Sequence, residues 1–301
     1  MSAPVGLVGV GRMGERIGGR LLAAGRGLVV HDRDPAAARR LTGRGAAPAD
    51  TPAEVAARCG TVLTAVTDGP AVLAVLTGPD GLLRAPPPGL LLVETTTIGV
   101  AESERVAARC AAAGVRYVRC PVLGSLAAAA EGRLVALMSG PPDAVEAAAA
   151  VVGPVAAVRH VLGTGEEARV AKLAANGVLA GSLLALLEGV VLAERCGLPR
   201  DRLLGALDDS SVVSPFLRGA AARLRAARHE PNLTMDLLVK DLLLAEAAAD
   251  RVAATLPVAG ASRRVFQAAA GSGLGGRDPI AVVDVLAAAG RPGGVEPDRP
   301  G

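Results

Sequence analysis

The sequence contains very few aromatic residues. Its 301 residues include one Tyr, two Phe and no Trp, so the core has to be packed from Ala, Val and Leu, and little ring surface is available for stacking on nucleobases. The formal net charge is only +3, and basic residues are interspersed with acidic ones instead of forming one basic face. We therefore expect neither nucleic acid nor a membrane surface as a partner.

Metal-binding and export patterns are also missing. The four cysteines are far apart, without a CxxC pair and with only three histidines, so we expect buried reduced thiols and neither a disulfide framework nor a zinc site. No charged segment followed by an apolar one opens the sequence, and the longest apolar run is interrupted by Gly189 and carries Glu188 and Glu194. We expect a cytoplasmic protein without a membrane span.

Lysine is as scarce as the aromatic residues. Of the 32 basic residues only two are lysines, Lys172 and Lys240. Arginine cannot replace lysine where a proton has to be released, because guanidinium stays protonated at any working pH. Lys172 lies in the apolar run VAKLAANGVLAG, and Asn176 follows four residues later, on the same face of a helix. Desolvation in such a run is expected to lower the lysine pKa towards neutrality. The alternative is that both lysines are solvated.

Short β-type segments alternate with Ala-rich helical segments over the first half of the chain. This alternation predicts right-handed βαβ units and a mainly parallel sheet covered on both faces. The predicted strands are 5–9, 27–31, 61–66, 90–94, 116–119 and 134–138, and the predicted helices are 15–24, 36–42, 52–58, 71–76 and 103–113. From about residue 164 the pattern becomes helical, beginning with a helix over 166–196 that Gly197-Leu198-Pro199 ends.

A glycine motif stands between the first predicted strand and the first predicted helix. In Gly9-x-Gly11-x-x-Gly14, the first glycine allows a tight turn, the second lets a pyrophosphate approach the backbone, and the third lets helix pack on strand while the helix N-terminus faces the phosphates. Arg12 and Met13 lie within the motif and are further candidate cofactor contacts. The motif in this context predicts a dinucleotide site.

The second predicted strand leads into Asp32, at the spacing expected for the acid that binds the ribose. Its carboxylate would accept hydrogen bonds from a free ribose 2′-hydroxyl and repel a 2′-phosphate, whereas the adjacent Arg33 could neutralise one. The position of Asp32 favours NAD, and Arg33 leaves NADP open.

Five segments occur together along the chain: GLVGVGRMG, VETTTIG, CPVLGSLAAAAEGRLVALMSG, GTGEEARVAKLAANG and MDLLVKDLLLA. Their order and spacing, over about residues 5–286, resemble the β-hydroxyacid dehydrogenases, which include 3-hydroxyisobutyrate dehydrogenase and the semialdehyde reductases. The resemblance implies a Rossmann-type N-terminal domain, a long interdomain helix and an all-helical domain that helps form homodimers or homotetramers. It also implies NAD(P)-linked interconversion of a small hydroxy acid and its semialdehyde.

The resemblance implies roles for single residues. Lys172 matches the catalytic lysine, and Asn176 matches the asparagine that orients the substrate. When hydride adds to a carbonyl, the oxygen needs a proton, which a lysine can supply and recover. The remaining matches are Val66 and Thr67 beneath the dinucleotide, Thr96 and Thr97 at the nicotinamide end, Lys240 bordering the cofactor, and Asp241 closing the substrate site. The alternative for Lys240 and Asp241 is a solvated helix pair.

The substrate loop departs from the family pattern. Many relatives have Pro-Val-Ser-Gly-Gly where this chain has Pro-Val followed by Leu123, Gly124 and Ser125. Leu123 has no hydrogen-bonding side chain, so Ser125 or backbone N–H groups would have to replace one contact to a substrate carboxylate. Ala175 also stands where many relatives have an asparagine. Both changes make the pocket more apolar and leave the substrate open.

The sequence thus predicts an α/β fold with a Rossmann-type domain at 1–163, an all-helical substrate and oligomerisation domain at 164–289, and a disordered tail at 290–301. The predicted activity is that of an NAD(P)-dependent oxidoreductase with Lys172 as general acid and base. Two other interpretations stay open. One is an imine reductase, although such proteins usually have an acidic residue or tyrosine in place of Lys172. The other is a catalytically silent dinucleotide-binding protein.

Overall fold

The computed structural model describes residues 3–226, 231 and 233–289. The chain forms two compact units that part between Leu173 and Ala174. The predicted disordered tail at 290–301 lies outside the described residues. The predicted domain boundary at 163 falls at the end of a strand, ahead of the point where the units part, and it stays a prediction.

The first unit contains a nine-stranded sheet in the part of the chain described here. Its strands are β1 Val5–Val8, β2 Leu28–His31, β3 Ala47–Pro48, β4 Thr61–Thr64, β5 Leu91–Glu94, β6 Arg116–Arg119, β7 Val122–Leu123, β8 Leu134–Ser139 and β9 Ala156–Gly163. The order is β3-β2-β1-β4-β5-β6-β8-β7, and β9 also pairs with β8. All pairs are parallel except β6–β8 and β7–β8. One edge of the sheet therefore carries the C-terminal ends of the parallel strands β1, β2, β4, β5 and β6, and the loops of the site follow these ends.

Helices cover both faces of this sheet. They are α1 Arg12–Ala23, α2 Pro35–Thr42, α3 Pro52–Arg58, α4 Gly69–Thr77, α5 Val100–Ala112, α6 Leu126–Ala130 and α7 Pro142–Val152. Side chains of a strand alternate between the two faces: Leu91 and Val93 join the core beneath α1, α2, α6 and α7, and Leu92 joins the core beneath α3, α4 and α5. Glu94 therefore points to the same side as Leu92.

The helix α8, Glu167–Arg195, begins in the first unit and continues through the second. The other helices of the second unit are α9 Arg200–Asp208, α10 Pro215–Arg225, α11 Met235–Asp250, α12 Pro257–Ala269 and α13 Val282–Ala288, with a π-helical turn at Ala270–Leu274 and a 3₁₀ turn at Pro279–Ala281. Their core includes the fully buried Leu187, Leu204 and Phe266. The predicted α/β fold class, a Rossmann-type unit followed by helices, is confirmed.

The prediction differs from the structure in one helix start and in five elements. Helix α1 begins at Arg12, not Glu15, because Gly11 itself is the N-cap residue. The elements that were not predicted are the strands β3, β7 and β9 and the helices α6 and α7. Six of the eight residues of β9 are exposed, so its sequence lacks the apolar alternation that identifies a half-buried strand.

The cysteines also differ in part from expectation. All four are free thiols, but Cys196 is exposed, so the expectation of buried thiols is wrong at that position. Burial raises the pKa of Cys59 to about 11, and of Cys110 and Cys120 to about 12. These three sulfurs stay protonated and unreactive at neutral pH.

Among the described residues, α8 is long and apolar enough to cross a membrane by length and composition. A core helix of a soluble protein meets the same two criteria, and 44% of its most apolar window is buried. The expected absence of a membrane partner stays a prediction.

Candidate active site

The glycine loop after β1 has the shape that a dinucleotide requires. Gly9 has a φ of +96°, and a Cβ there would lie 2.4 Å from the Ala65 carbonyl oxygen. A Cβ on Gly14 would lie 2.1 Å from the Gly9 oxygen. Gly11 differs, because nothing lies within 4 Å of its Cβ position and no side chain caps α1. The space in front of this helix N-terminus and its unpaired N–H groups fit a pyrophosphate.

Asp32 lies beside this loop with both carboxylate oxygens held in place. Oδ2 accepts from the Val10 N–H at 2.6 Å, and Oδ1 accepts from the Asp34 N–H at 2.9 Å. Arg33 and Arg12 are exposed. Met13 packs against the core, so the group it can offer a phosphate is its backbone N–H.

The loops after β4 and β5 are hydrogen-bonded to each other. The Val66 N–H donates to Thr96 Oγ1 at 3.1 Å, and the Thr95 hydroxyl donates to the Thr64 carbonyl at 2.7 Å. Thr96 is buried, whereas Thr97 is half-buried and Thr67 is exposed. The structure thus brings together Val66 and Thr96, two residues that the sequence assigned to the cofactor.

Lys172 reaches the substrate loop that follows β6. Its Nζ donates to the Val122 carbonyl oxygen at 2.9 Å, in a partly buried position. The next residue, Leu123, is half-buried. Of the predicted site residues in the first unit, Lys172 and Leu123–Ser125 therefore lie at one place, with the ammonium group directly beside the loop.

The geometry of that loop depends on Gly124 and Ser125, which are both exposed. Gly124 has a φ of +135°, and a Cβ there would lie 2.7 Å from Leu134 Cδ2. The Ser125 hydroxyl caps α6 by accepting from the Ala128 N–H at 3.2 Å. Its own hydrogen stays available to a ligand, because a hydroxyl donates once and accepts twice.

In the second unit, Asn176, Asp241 and Lys240 form one cluster. Asn176 Nδ2 donates to Asp241 Oδ2 at 2.6 Å, and Lys240 Nζ lies 2.9 Å from Asp241 Oδ1. Asp241 is only 5% exposed, so the interpretation of a solvated pair is wrong for the aspartate. A buried carboxylate requires such partners, which explains why lysine and asparagine lie there together.

The sequence did not reveal a buried ion pair beneath the site. Arg169, on α8, is 1% exposed and is paired with the fully buried Glu94. Glu94 ends a strand that is otherwise apolar, Leu91–Val93, and a charge in such a position needs a partner. That signal was available, but it does not say which of the many arginines is the partner.

The charges of this pair stabilise each other. Burial opposes the charge on Arg169, but the carboxylate of Glu94 outweighs that effect and raises the pKa of Arg169 above its usual value. Burial raises the pKa of the neighbouring Tyr117 phenol, so the phenol stays neutral. No group of metal-ligating side chains occurs in the described ranges.

Models of two known families together match residues 4–286. The first, the NAD binding domain of 6-phosphogluconate dehydrogenase, matches residues 4–165. The second, described as NAD-binding of NADP-dependent 3-hydroxyisobutyrate dehydrogenase, matches residues 165–286. Together with the glycine loop, these matches define an NAD(P)-dependent oxidoreductase.

Similarity to individual proteins narrows the assignment from NAD(P)-dependent oxidoreductases in general to one family. The chain is 30% identical to L-threonate dehydrogenase of Cupriavidus necator, over 98% of this chain and 100% of the relative. It is 29% identical to glyoxylate/succinic semialdehyde reductase 1 of Arabidopsis thaliana, over 94% and 98%. A crystal structure of 3-hydroxyisobutyrate dehydrogenase from Salmonella typhimurium superimposes with a TM-score of 0.87 at 26% identity, covering 94% of this chain and 100% of that one. The chain belongs to the β-hydroxyacid dehydrogenase family, as its motifs predicted, and is an enzyme that uses NAD or NADP.

Proposed function

We propose that Lys172 is the general acid and base in the interconversion of a small hydroxy acid and its semialdehyde. The observation that carries this proposal is the hydrogen bond from Lys172 Nζ to the Val122 carbonyl at 2.9 Å, which places this amine beside the substrate loop. The retention of lysine among so many arginines supports it, because arginine could stabilise an oxyanion but could not release a proton.

Each group of residues has its own role in this reaction. The glycine loop would bind the pyrophosphate of NAD(P), Asp32 would bind its adenosine ribose, and the backbone at Val66 with Thr96 would support its nicotinamide end. The chemistry that this cofactor would supply there is hydride transfer. Lys172 gives a proton to the carbonyl oxygen as negative charge develops there, and takes it back from the hydroxyl in the reverse direction.

Asn176 lies one helical turn after Lys172 on α8. Its amide nitrogen is held by Asp241, so its orientation is fixed before substrate binds. We assign it to orienting the substrate. The family resemblance further implies Lys240 at the cofactor, Asp241 at the substrate, Thr67 beneath the dinucleotide and Thr97 at its nicotinamide end.

The substrate loop favours a small carboxylate-bearing substrate with some apolar surface. The Gly124 and Ser125 N–H groups and the Ser125 hydroxyl are the donors that this loop offers a carboxylate. Leu123 adds an apolar side chain where a hydroxyl is common in the family. L-Threonate, glyoxylate, succinic semialdehyde and 3-hydroxyisobutyrate, which appear in the names of the relatives, share the required carboxylate.

A substrate panel tests the proposed reaction. We expect NAD(P)H to form with at least one hydroxy acid of three or four carbons and to be consumed with the matching semialdehyde, while the same compounds as methyl esters react poorly because the carboxylate is masked. Absorbance at the reduced nicotinamide band reports both directions. Reduction of cyclic imines alone, or tight NAD(P)H binding without turnover of any compound, would contradict the proposal.

We further propose that Asp32 makes the enzyme prefer NADH over NADPH. Its held carboxylate would face a 2′-phosphate, and Asp32→Asn removes that repulsion while keeping the side-chain shape. We expect the variant to bind NADH roughly tenfold more weakly and NADPH roughly tenfold more tightly. A tenfold change corresponds to the loss of about one hydrogen bond to a charged group for NADH, and to the loss of a charge repulsion of similar size for NADPH. Fluorescence titration with each nucleotide measures both dissociation constants, with Asp50→Asn, outside the loop, as control. A wild-type protein that binds NADPH more tightly would contradict the preference.

The homodimer or homotetramer, the cytoplasmic location and the absence of nucleic acid or membrane partners belong to the same proposal. Exposed apolar side chains on α8 and α12 support self-association, since Val178 is 71%, Leu192 66% and Val258 66% exposed, and such side chains gain from burial between copies.

A further inference from the structure

The guanidinium of Arg169 has contacts with three separate elements of the first unit. It is paired with the Glu94 carboxylate at the end of β5, and Nη1 donates to the Thr96 carbonyl at 2.7 Å. Nη2 donates to the Tyr117 hydroxyl of β6 at 3.1 Å, and Nε to Ser103 Oγ of α5 at 3.4 Å. One buried side chain of α8 is thus bonded to β5, β6 and α5.

Glu94 extends these bonds to the cofactor loops. Its Oε1 accepts from the Thr96 N–H at 2.6 Å. Thr96 is therefore held at its N–H by Glu94 and at its carbonyl by Arg169, and its hydroxyl accepts from the Val66 N–H at 3.1 Å. The backbone assigned to the nicotinamide end is fixed by the same ion pair.

A second buried pair lies beside the first. Arg119 is paired with Glu166, which directly precedes α8, and its Nε donates to Ser103 Oγ at 3.2 Å. Its guanidinium also lies over the Tyr117 ring, 4.9 Å from the centroid. This pair holds the start of α8.

Arg169 lies three residues before Lys172, so the two side chains project from neighbouring turns of α8. Arg169 is bonded to the end of β5 and its loop, and Lys172 to the loop after β6. Two cations on one helix are therefore anchored to two adjacent loops of the sheet edge.

We propose that Arg169, acting with Glu94, is a positioning residue that holds the Lys172 amine and the Thr96 loop in fixed register. This inference rests on the proposed role of Lys172. Stability alone does not account for the pair, because replacing a buried ion pair with apolar residues is often neutral or stabilising. To hold the Thr96 loop in a fixed geometry, one side chain has to donate to a carboxylate and to a carbonyl at the same time. Only the planar guanidinium of arginine can do this.

The scarcity of lysine permits a test that does not depend on activity. Reductive methylation with ¹³C-formaldehyde labels only Lys172, Lys240 and the chain's amino terminus, and a Lys172→Arg sample assigns the Lys172 methyl resonance. We expect this resonance to move towards the position of an exposed lysine in Glu94→Gln/Arg169→Gln, while the Lys240 resonance stays in place. The double variant avoids leaving either charge buried without its partner.

The kinetic test separates fixed geometry from charge. We expect kcat to fall roughly a hundredfold in Glu94→Gln/Arg169→Gln, the size expected for a displacement of about 1 Å at a reacting group, with little change in KM. Arg169→Lys keeps the charge beside Glu94 but not the planar fork, so we expect it to restore thermal stability more fully than kcat.

Leu41→Ala is the matched control, because Leu41 is fully buried on the opposite face of the sheet. We expect it to lower thermal stability without moving the Lys172 resonance or kcat. An unmoved Lys172 resonance in the double variant would overturn the inference, as would equal recovery of kcat and stability in Arg169→Lys. A moved resonance with unchanged kcat would support the positioning by Arg169 and contradict the acid–base role of Lys172 instead.

Discussion

Replacing Lys172 with arginine is expected to lower kcat by roughly 10²–10⁴-fold, the usual contribution of a general acid or base. Arginine preserves the positive charge and can still donate to the Val122 carbonyl, so binding at the substrate loop is largely retained. It cannot give up a proton at neutral pH. We therefore expect the loss in kcat, with a smaller change in KM, and a pH–rate profile without the limb that Lys172 produces.

The measurement is steady-state and single-turnover formation of reduced nicotinamide from the best hydroxy acid of the panel. Arg195→Lys, at the other end of the same helix, is the control for a change of cation on α8, and we expect it to keep wild-type kcat. A Lys172→Arg enzyme within threefold of wild type would remove Lys172 from the proton transfer.

The second large effect is expected at Gly11, where adding a single methyl group should weaken cofactor binding without destabilising the fold. Gly11 has a φ of −66° and open space at its Cβ position, so Gly11→Ala should fold with a stability within about 1 kcal/mol of wild type. The less flexible unfolded chain offsets the poorer N-cap that alanine provides. The methyl group occupies the approach of the pyrophosphate. We expect dinucleotide binding to weaken by roughly 10–100-fold, equivalent to one lost hydrogen bond to a charged group.

Gly9→Ala is the matched variant, and we expect it to affect folding instead of the approach of the cofactor. Alanine at a φ of +96° is strained, and its Cβ would meet the Ala65 carbonyl, so we expect unfolding to become easier by about 1–3 kcal/mol or more. Thermal melts and NADH fluorescence titrations distinguish the two variants. Wild-type NADH affinity in Gly11→Ala would mean that the pyrophosphate does not lie against this loop.

The parts of the site that the sequence predicted are those with a local signature. Gly9, Gly11 and Gly14 are recognisable because they lie within a few residues of one another and each position requires glycine for its own reason. The reasons are the tight turn, the close approach of the pyrophosphate and the packing of helix on strand. Lys172 was recognisable because its residue type is scarce and its neighbours are apolar. The class of fold followed from the alternation of short strands and helices in the first unit.

The parts that it did not predict depend on pairs far apart in the chain. Glu94 and Arg169 are 75 residues apart, and Asn176 and Asp241 are 65 residues apart. Glu94 is unusual at the end of an apolar strand, and Asn176 and Asp241 belong to recognisable motifs, but no local signature identifies the partner of any of them, so only the fold pairs them. Strand β9 was missed for a different reason, because its exposed residues follow no period that distinguishes a strand from a loop.

Chemical rescue of Lys172→Ala is the most direct test of the proton transfer assigned to Lys172. In the direction of hydroxy-acid oxidation, we expect single-turnover hydride transfer to be nearly abolished and then restored, with saturation, by methylamine, which can enter the space of the missing side chain and accept a proton. Tetramethylammonium, which carries the charge but has no proton to exchange, should restore nothing. Equal rescue by both ions, or wild-type hydride transfer without any added amine, would contradict the role of Lys172.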